Sequence, residues 1–73
     1  MSSREPDPDP RARNSAMRLL ARREHSRAEL RGKLVGRGFE NDSVEELLQG
    51  LEEQDLLSDE RFAMSLIASR AET

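Results

Sequence analysis

The chain is short, highly charged and free of cysteine. Its 73 residues carry 12 basic and 15 acidic side chains, for a formal net charge of −3. This length supports at most one small domain, and the absence of cysteine excludes disulfides and thiolate metal sites. The longest apolar runs are two or three residues, too short for a membrane span. No apolar export signal follows Arg4, so we expect a cytoplasmic location.

The charge is distributed unevenly along the chain. Residues 1–10 have a net charge of −2, residues 11–37 of +7 and residues 38–73 of −8. This asymmetry leaves two interpretations open. Either the basic segment binds an acidic or polyanionic partner, or the two halves pack together and neutralise each other within the domain.

The N-terminal segment, residues 1–13, is predicted to be a disordered tail. Pro6, Pro8 and Pro10 alternate with aspartates, so a helix is blocked and no apolar group is available to bury. Residues 14–73 are predicted to form a small all-α domain, because they contain no β-branched alternation and no hairpin dipeptide.

A first helix is predicted over about residues 15–24. Asn14 or Ser15 is the expected cap. Helical spacing relates four residues that we expect along one face: Ala16, Leu19, Leu20 and Arg23. Arg18 and Arg22 are one turn apart on another face.

A second helix is predicted over residues 27–37, and a capping box marks its start. We expect the Ser26 hydroxyl to accept from the Glu29 amide, while the Glu29 carboxylate reaches back to the Ser26 amide. Its C-terminal end is expected at Gly38 in the left-handed conformation, with Phe39 making the hydrophobic contact behind it.

This second helix is expected to bury one leucine face and to contain two internal glycines. Leu30 and Leu34 are one turn apart on that face. Gly32 and Gly36 each weaken the helix by about 1 kcal/mol relative to alanine. They are either simply tolerated, or they allow another backbone to approach closely.

The clearest amphipathic pattern predicts a third helix over about residues 43–54. Its apolar positions follow the i, i+3, i+4, i+7 spacing: Val44, Leu47, Leu48 and Leu51. Asn41 or Asp42 is the expected cap. The glutamates of this segment (Glu45, Glu46, Glu52 and Glu53) are interpreted as a solvated polar face.

A fourth helix is predicted after Leu56 and Leu57. Ser58 is its expected cap, and Asp59 lies in the first turn, where the helix dipole favours anions. We expect its buried stripe to consist of Phe62, Ala63, Leu66 and Ile67.

No catalytic constellation is recognisable. His25 lies beside a helix cap and is interpreted as a turn residue, and the capping role explains Ser26 and Ser58. No glycine-rich phosphate loop is present. We therefore expect neither an enzyme nor a metal or nucleotide cofactor.

The basic residues remain as candidates for function. The pairs Arg18–Arg22 and Arg27–Arg31 are like charges at i, i+4, which costs a few tenths of a kcal/mol per pair in an isolated helix. Either acidic side chains of the later helices or an external anion must offset this cost. The two phenylalanines are interpreted as core residues, so any nucleic-acid contact is expected at the phosphate backbone and depends on salt.

Two sequence blocks together carry a resemblance to a known family. The first is SRAELRGKLVGRGF at residues 26–39, and the second is LEEQDLLSDERFA at residues 51–63. Preceded by AMRLLARRE at residues 16–24, they resemble the bacterial regulatory protein family RecX. The resemblance covers about residues 15–71.

The resemblance implies a tandem-repeat fold. The three helices after Ser26, around Ser43 and after Ser58 would form the first three-helix repeat, with the preceding helix as a lead-in. We expect this chain to be the N-terminal part of a longer protein, with repeat surfaces through which it self-associates. The motif positions would serve structure: Ser26, Glu29, Leu30, Leu34, Gly38, Phe39, Leu56, Leu57, Asp59, Phe62 and Ala63.

The resemblance also implies a function. RecX-like proteins bind the RecA filament on DNA and inhibit its recombinase, ATPase and coprotease activities, and no catalytic residue carries over. The candidates for contact with RecA or with the DNA backbone are the basic residues Arg18, Arg22, Arg27, Arg31, Lys33 and Arg37. Two alternatives remain: an independent DNA-binding module of helix-turn-helix type, and a helical bundle whose charges only keep it soluble.

Overall fold

The computed structural model describes the backbone of residues 10–71 and the side chains of residues 10–68. Within that range the chain forms helices and turns and no strand, which confirms the all-α fold class. The helices are α1 (Pro10–Arg22), α2 (Arg27–Gly36), α3 (Asn41–Glu53) and α4 (Asp59–Ala71). None of them is long and apolar enough to cross a membrane.

Helix α1 begins five residues before the predicted start near Ser15. Pro10 is its first residue, and the missing proline N–H costs nothing at that position. Ala12 is fully buried, one turn before Ala16. The buried face of α1 therefore starts one turn earlier than the spacing of Ala16, Leu19 and Leu20 predicts. Residues 10–13 therefore belong to a helix rather than to the expected disordered tail, and the predicted cap at Asn14 or Ser15 is wrong. The rest of that tail, residues 1–9, lies outside the described residues.

Both predicted ends of α2 are found. Ser26 is the N-cap, and its hydroxyl accepts from the Glu29 amide at 3.0 Å. At the other end Gly38 has φ +99°, its amide donates to the Val35 carbonyl at 2.9 Å, and the Phe39 amide donates to the Leu34 carbonyl at 3.3 Å. This is a Schellman motif, which satisfies carbonyls at the end of the helix.

Helix α3 begins at Asn41, two residues before the prediction. Glu40 is its N-cap and makes no side-chain capping hydrogen bond, so the expected cap at Asn41 or Asp42 is wrong. Both residues instead lie in the first turn, where the Asp42 carboxylate complements the helix dipole. The helix ends in a second Schellman motif, with Asp55 at φ 64° and the Leu56 amide bonded to the Leu51 carbonyl at 2.9 Å.

The core lies between α1, α2 and α3, which pack against one another. Every apolar position predicted for α3 is buried, as are the two leucines of α2. Met17, Leu20, Phe39 and Leu56 are partly buried against this core. The buried apolar residues are Ala12, Ala16, Leu19, Leu30, Leu34, Val44, Leu47, Leu48, Leu51 and Leu57.

Helix α4 does not bury the predicted stripe. Ser58 caps it as expected, because its hydroxyl accepts from the Arg61 amide at 3.1 Å. Phe62 is only partly buried, however, and all side chains from residue 63 to residue 68 are exposed. Leu66 is 52% and Ile67 62% exposed. The apolar spacing was real, but none of the other described helices covers this face.

Candidate functional site

Two of the three basic residues of α2, Arg27 and Arg31, are neutralised within the chain. The Arg27 guanidinium lies between two acids of α3, 2.7 Å from Glu45 and 2.5 Å from Glu52. Arg31 contacts the other oxygen of Glu45 at 2.5 Å. Hydrogen bonds from Arg27 and then Arg31 hold the pKa of Glu45 below its ordinary value. The repulsion between Arg27 and Arg31 is therefore offset by acidic side chains of α3. Glu45 and Glu52 are thus paired, not freely solvated as the sequence predicts.

Two basic residues of α1, Arg18 and Arg22, behave differently. Arg18 and Arg22 are exposed one turn apart, and neither forms an ion pair or a side-chain hydrogen bond with the described part of the chain. Arg37, after α2, is likewise exposed and unpaired within residues 10–71. The uncompensated positive charge is thus on α1 and at the end of α2.

Lys33 shares a concavity with Arg22, although they belong to different helices. Its ammonium group lies 3.3 Å from His25 Nε2 and 3.9 Å from Glu29. Leu19, Arg23 and His25 also line it. Arg37 lines a different concavity, beside Gly38 and Phe39. The structure thus brings together Arg22 and Lys33 among the six candidates, and separately joins Arg27 and Arg31 through Glu45.

Sequence reasoning missed two residues of this concavity. His25 lies between α1 and α2 as predicted, yet only 1% of its surface is exposed. Arg23 was assigned to the apolar spacing of α1, whereas its guanidinium binds Glu29 at 2.5 Å and donates to the Glu24 carbonyl at 2.9 Å. That leaves Glu29 paired with Arg23 and Lys33 instead of completing the expected capping box. A signal existed for Arg23, since an arginine on an apolar face needs an acidic partner.

The pKa of Glu29 is held below its ordinary value. The hydrogen bond from Arg23 is the largest cause; burial opposes it, and the charges of Arg23 and Lys33 add to it. Glu29 is therefore a stable negative charge among these cations. In the part of the chain that the structure describes, no three His, Asp or Glu side chains come together as a metal site.

Comparison with known proteins agrees with this three-helix architecture. The family model described as "RecX, first three-helix domain" matches residues 12–51. The chain belongs to the RecX family. The matched region runs from α1 to α3, the helices that share the core, and stops before α4. The three-helix unit therefore includes the helix that we predicted as a lead-in and leaves out α4.

Individual RecX proteins match over most of the chain. A "Regulatory protein RecX" from Chromohalobacter salexigens is 44% identical over 70 residues, which is 96% of this chain and 43% of that protein. A relative of the same name from Chlorobium limicola is 46% identical over 77% of this chain and 35% of its own length. One from Pseudomonas fluorescens is 49% identical over 81% of this chain and 38% of its own length. The chain thus spans less than half the length of these relatives. No solved structure matches it.

Proposed function

We propose that this RecX-family chain binds the RecA–DNA filament and inhibits the recombinase, ATPase and coprotease activities of RecA. Its role would lie in the control of DNA recombination and repair. Family membership supports this proposal, because the matched relatives are named regulatory proteins. We infer that the chain acts by binding rather than by catalysis, and that it works in the cytoplasm.

One observation connects the proposal to particular residues: Arg18 and Arg22 of α1 are exposed and unpaired in the described part of the chain. The α3 acids neutralise Arg27 and Arg31, whereas Arg18 and Arg22 keep their mutual repulsion. An acidic surface of the filament, from protein or from DNA phosphate, would relieve it. Arginine suits this role since its guanidinium forks onto carboxylate and phosphate alike.

The DNA-dependent ATPase of RecA tests the proposed activity. The protein is added over a wide range of excess, and inhibition is expected. Arg18→Glu and Arg22→Glu are each expected to weaken it about tenfold, the loss of one charged contact. Arg13→Glu is the matched control, because Arg13 is exposed on the same helix and its only described contact is a 3.4 Å hydrogen bond to Gln54. Absence of inhibition at any excess would contradict the proposed inhibition of RecA. Equal effects of all three variants would contradict the assignment of the contact to Arg18 and Arg22.

An independent DNA-binding module is the second candidate. The same exposed arginines favour it, because they could contact the phosphates of a duplex in the absence of RecA. It predicts duplex binding with a steep salt dependence and no requirement for the filament. Fluorescence anisotropy with duplex DNA, with and without RecA, separates the two candidates.

Self-association of this chain is a further prediction. Met64, Leu66 and Ile67 expose 62%, 52% and 62% of their surfaces along α4. Burying such side chains is favourable by about 25 cal/mol per Å² of apolar surface. Sedimentation velocity over a hundredfold concentration range is expected to show association, which Ile67→Asp should abolish.

A further inference from the structure

The concavity between α1 and α2 has the composition of an anion site. Among the described residues, its lining consists of one apolar residue, three cationic residues and a histidine: Leu19, Arg22, Arg23, His25 and Lys33. Arg22 is the last residue of α1, and Arg23 follows it directly. Lys33 lies in the last turn of α2. The two helices therefore present their positive side chains to one common space.

The buried histidine orients Lys33. His25 Nδ1 lies 3.0 Å from the Arg23 carbonyl oxygen, which only accepts, so this nitrogen donates. His25 Nε2 is then an acceptor for the Lys33 ammonium at 3.3 Å. One Lys33 hydrogen is used in this way. The others remain for a ligand, because the contact to Glu29 is long, at 3.9 Å.

The charge around the concavity is not balanced. Glu29 is the one acid in contact with these cations among the described residues, and its carboxylate forms two hydrogen bonds with Arg23, at 2.5 and 3.2 Å. Arg22 has no partner in the described chain. Three cations and one carboxylate leave an excess of two positive charges. A group with one or two negative charges would offset that excess.

We propose that this concavity binds a phosphate group. Arg22 supplies a planar fork of N–H donors and Lys33 a compact charge, the two kinds of donor that phosphate oxygens accept most strongly. Leu19 contributes an apolar side chain to the lining, and Arg23 is already paired with Glu29. The phosphate comes either from a nucleic-acid backbone or from a free phosphate compound. This site goes beyond the proposed function and does not depend on binding to RecA.

Titration with inorganic phosphate tests the site. The ring resonances of His25, the one histidine of the chain, are followed by NMR. A saturable shift is expected. Arg22→Gln and Lys33→Gln should each weaken phosphate binding about tenfold, the loss of one charge-assisted hydrogen bond. Arg13→Gln is the control, because it removes one positive charge from a residue outside the concavity. It should change the affinity for phosphate by less than about twofold, since solvent and salt screen an exposed charge.

Arg22→Gln keeps the test decisive if Lys33→Gln disturbs the fold, because Arg22 is exposed and forms no ion pair or side-chain hydrogen bond within the described chain. Absence of a saturable shift overturns the proposal. Equal losses for Arg22→Gln and Arg13→Gln also overturn it, since they would show only general charge attraction.

A short single-stranded oligonucleotide identifies the source of the phosphate. If it shifts the His25 ring, competes with inorganic phosphate and is sensitive to Arg22→Gln, the site takes a backbone phosphate. If inorganic phosphate binds and the oligonucleotide leaves the ring unchanged, the site takes a free phosphate compound. A glutamate-rich peptide that shifts the ring where phosphate does not would overturn the proposal. All these readings are made without RecA, so they stand apart from the ATPase assay.

Discussion

The Arg27 backbone amide donates a hydrogen bond to the Asp59 carboxylate at 2.6 Å. Arg27 is the first residue of α2, and Asp59 is the first residue of α4. The carboxylate thus satisfies a free amide of one helix and sits in the first turn of the other, both positions where helix dipoles favour an anion. It joins the start of α4 to the three-helix unit, and Arg61 adds a second link through Glu24 at 3.0 Å.

Asp59→Ala is expected to destabilise the protein by about 1 kcal/mol, the usual value of a lost helix cap. Glu60→Ala is the matched control, since Glu60 is an exposed acid in the same turn of α4. Thermal unfolding followed by circular dichroism measures both variants. Equal melting temperatures for the two would show that the contact with Arg27 contributes nothing.

Leu34→Ala is expected to cost roughly 2–5 kcal/mol, because Leu34 is completely buried and its removal leaves a cavity. In so small a domain this loss approaches the total stability. Leu66→Ala deletes the same atoms from a side chain that is 52% exposed and should change stability by less than about 0.5 kcal/mol. Urea unfolding of both variants, at a concentration where the chain is monomeric, checks the contrast. A large loss for Leu66→Ala would mean that α4 packs against other groups in solution.

Two glycines are expected to respond oppositely to alanine. Gly38 has φ +99°, and an added Cβ there would meet no atom within 4 Å, so Gly38→Ala costs backbone strain alone, about 1–2 kcal/mol. Gly32 is within α2 and equally open, so Gly32→Ala should stabilise by up to about 1 kcal/mol. The open space excludes a close backbone neighbour within the described chain and leaves simple tolerance of glycine. Opposite shifts in melting temperature are the expected result.

Stability is expected to fall in acid. The pKa of Glu45 is lowered in the folded chain by its hydrogen bonds to Arg27 and Arg31, and that of Glu29 chiefly by its bond to Arg23. A carboxyl group whose pKa is lowered by folding contributes its full stabilisation at pH values above its pKa in the unfolded chain, about 4.3 for glutamate. That stabilisation disappears as the pH falls through the pKa of the group in the folded chain. The melting temperature should therefore drop below about pH 4.5.

Glu45→Gln isolates one of these contributions. This variant should be less stable than the wild type at pH 7 and should lose less stability on acidification. Glu46→Gln, an exposed neighbour on α3, is the control and should keep the wild-type slope. An unchanged acid slope in Glu45→Gln would show that the pairing with Arg27 is not linked to folding.

Local features of the sequence were enough for the helices and most of the core. Serine caps before α2 and α4, the glycine after α2 and the leucine spacing of α3 each act within one or two turns, so neighbouring residues alone predict them. The start of α1 was missed because Ala12, between two arginines and close to Pro10, is a weak hydrophobic signal. The stripe of α4 was misjudged because spacing reveals an apolar face and not whether another element covers it.

The sequence by itself determined the all-α class, the ends of α2, the buried leucines of α2 and α3, and the family. Only the tertiary structure decided which arginines keep their charge uncompensated. Arg27 and Arg31 are neutralised because α3 packs beside α2, while Arg18 and Arg22 have no acid opposite them in the described chain. The burial of His25 and its contact with Lys33 likewise depend on how α1 meets α2. Caps and spacing are local, whereas charge pairing depends on contacts between residues far apart in the chain.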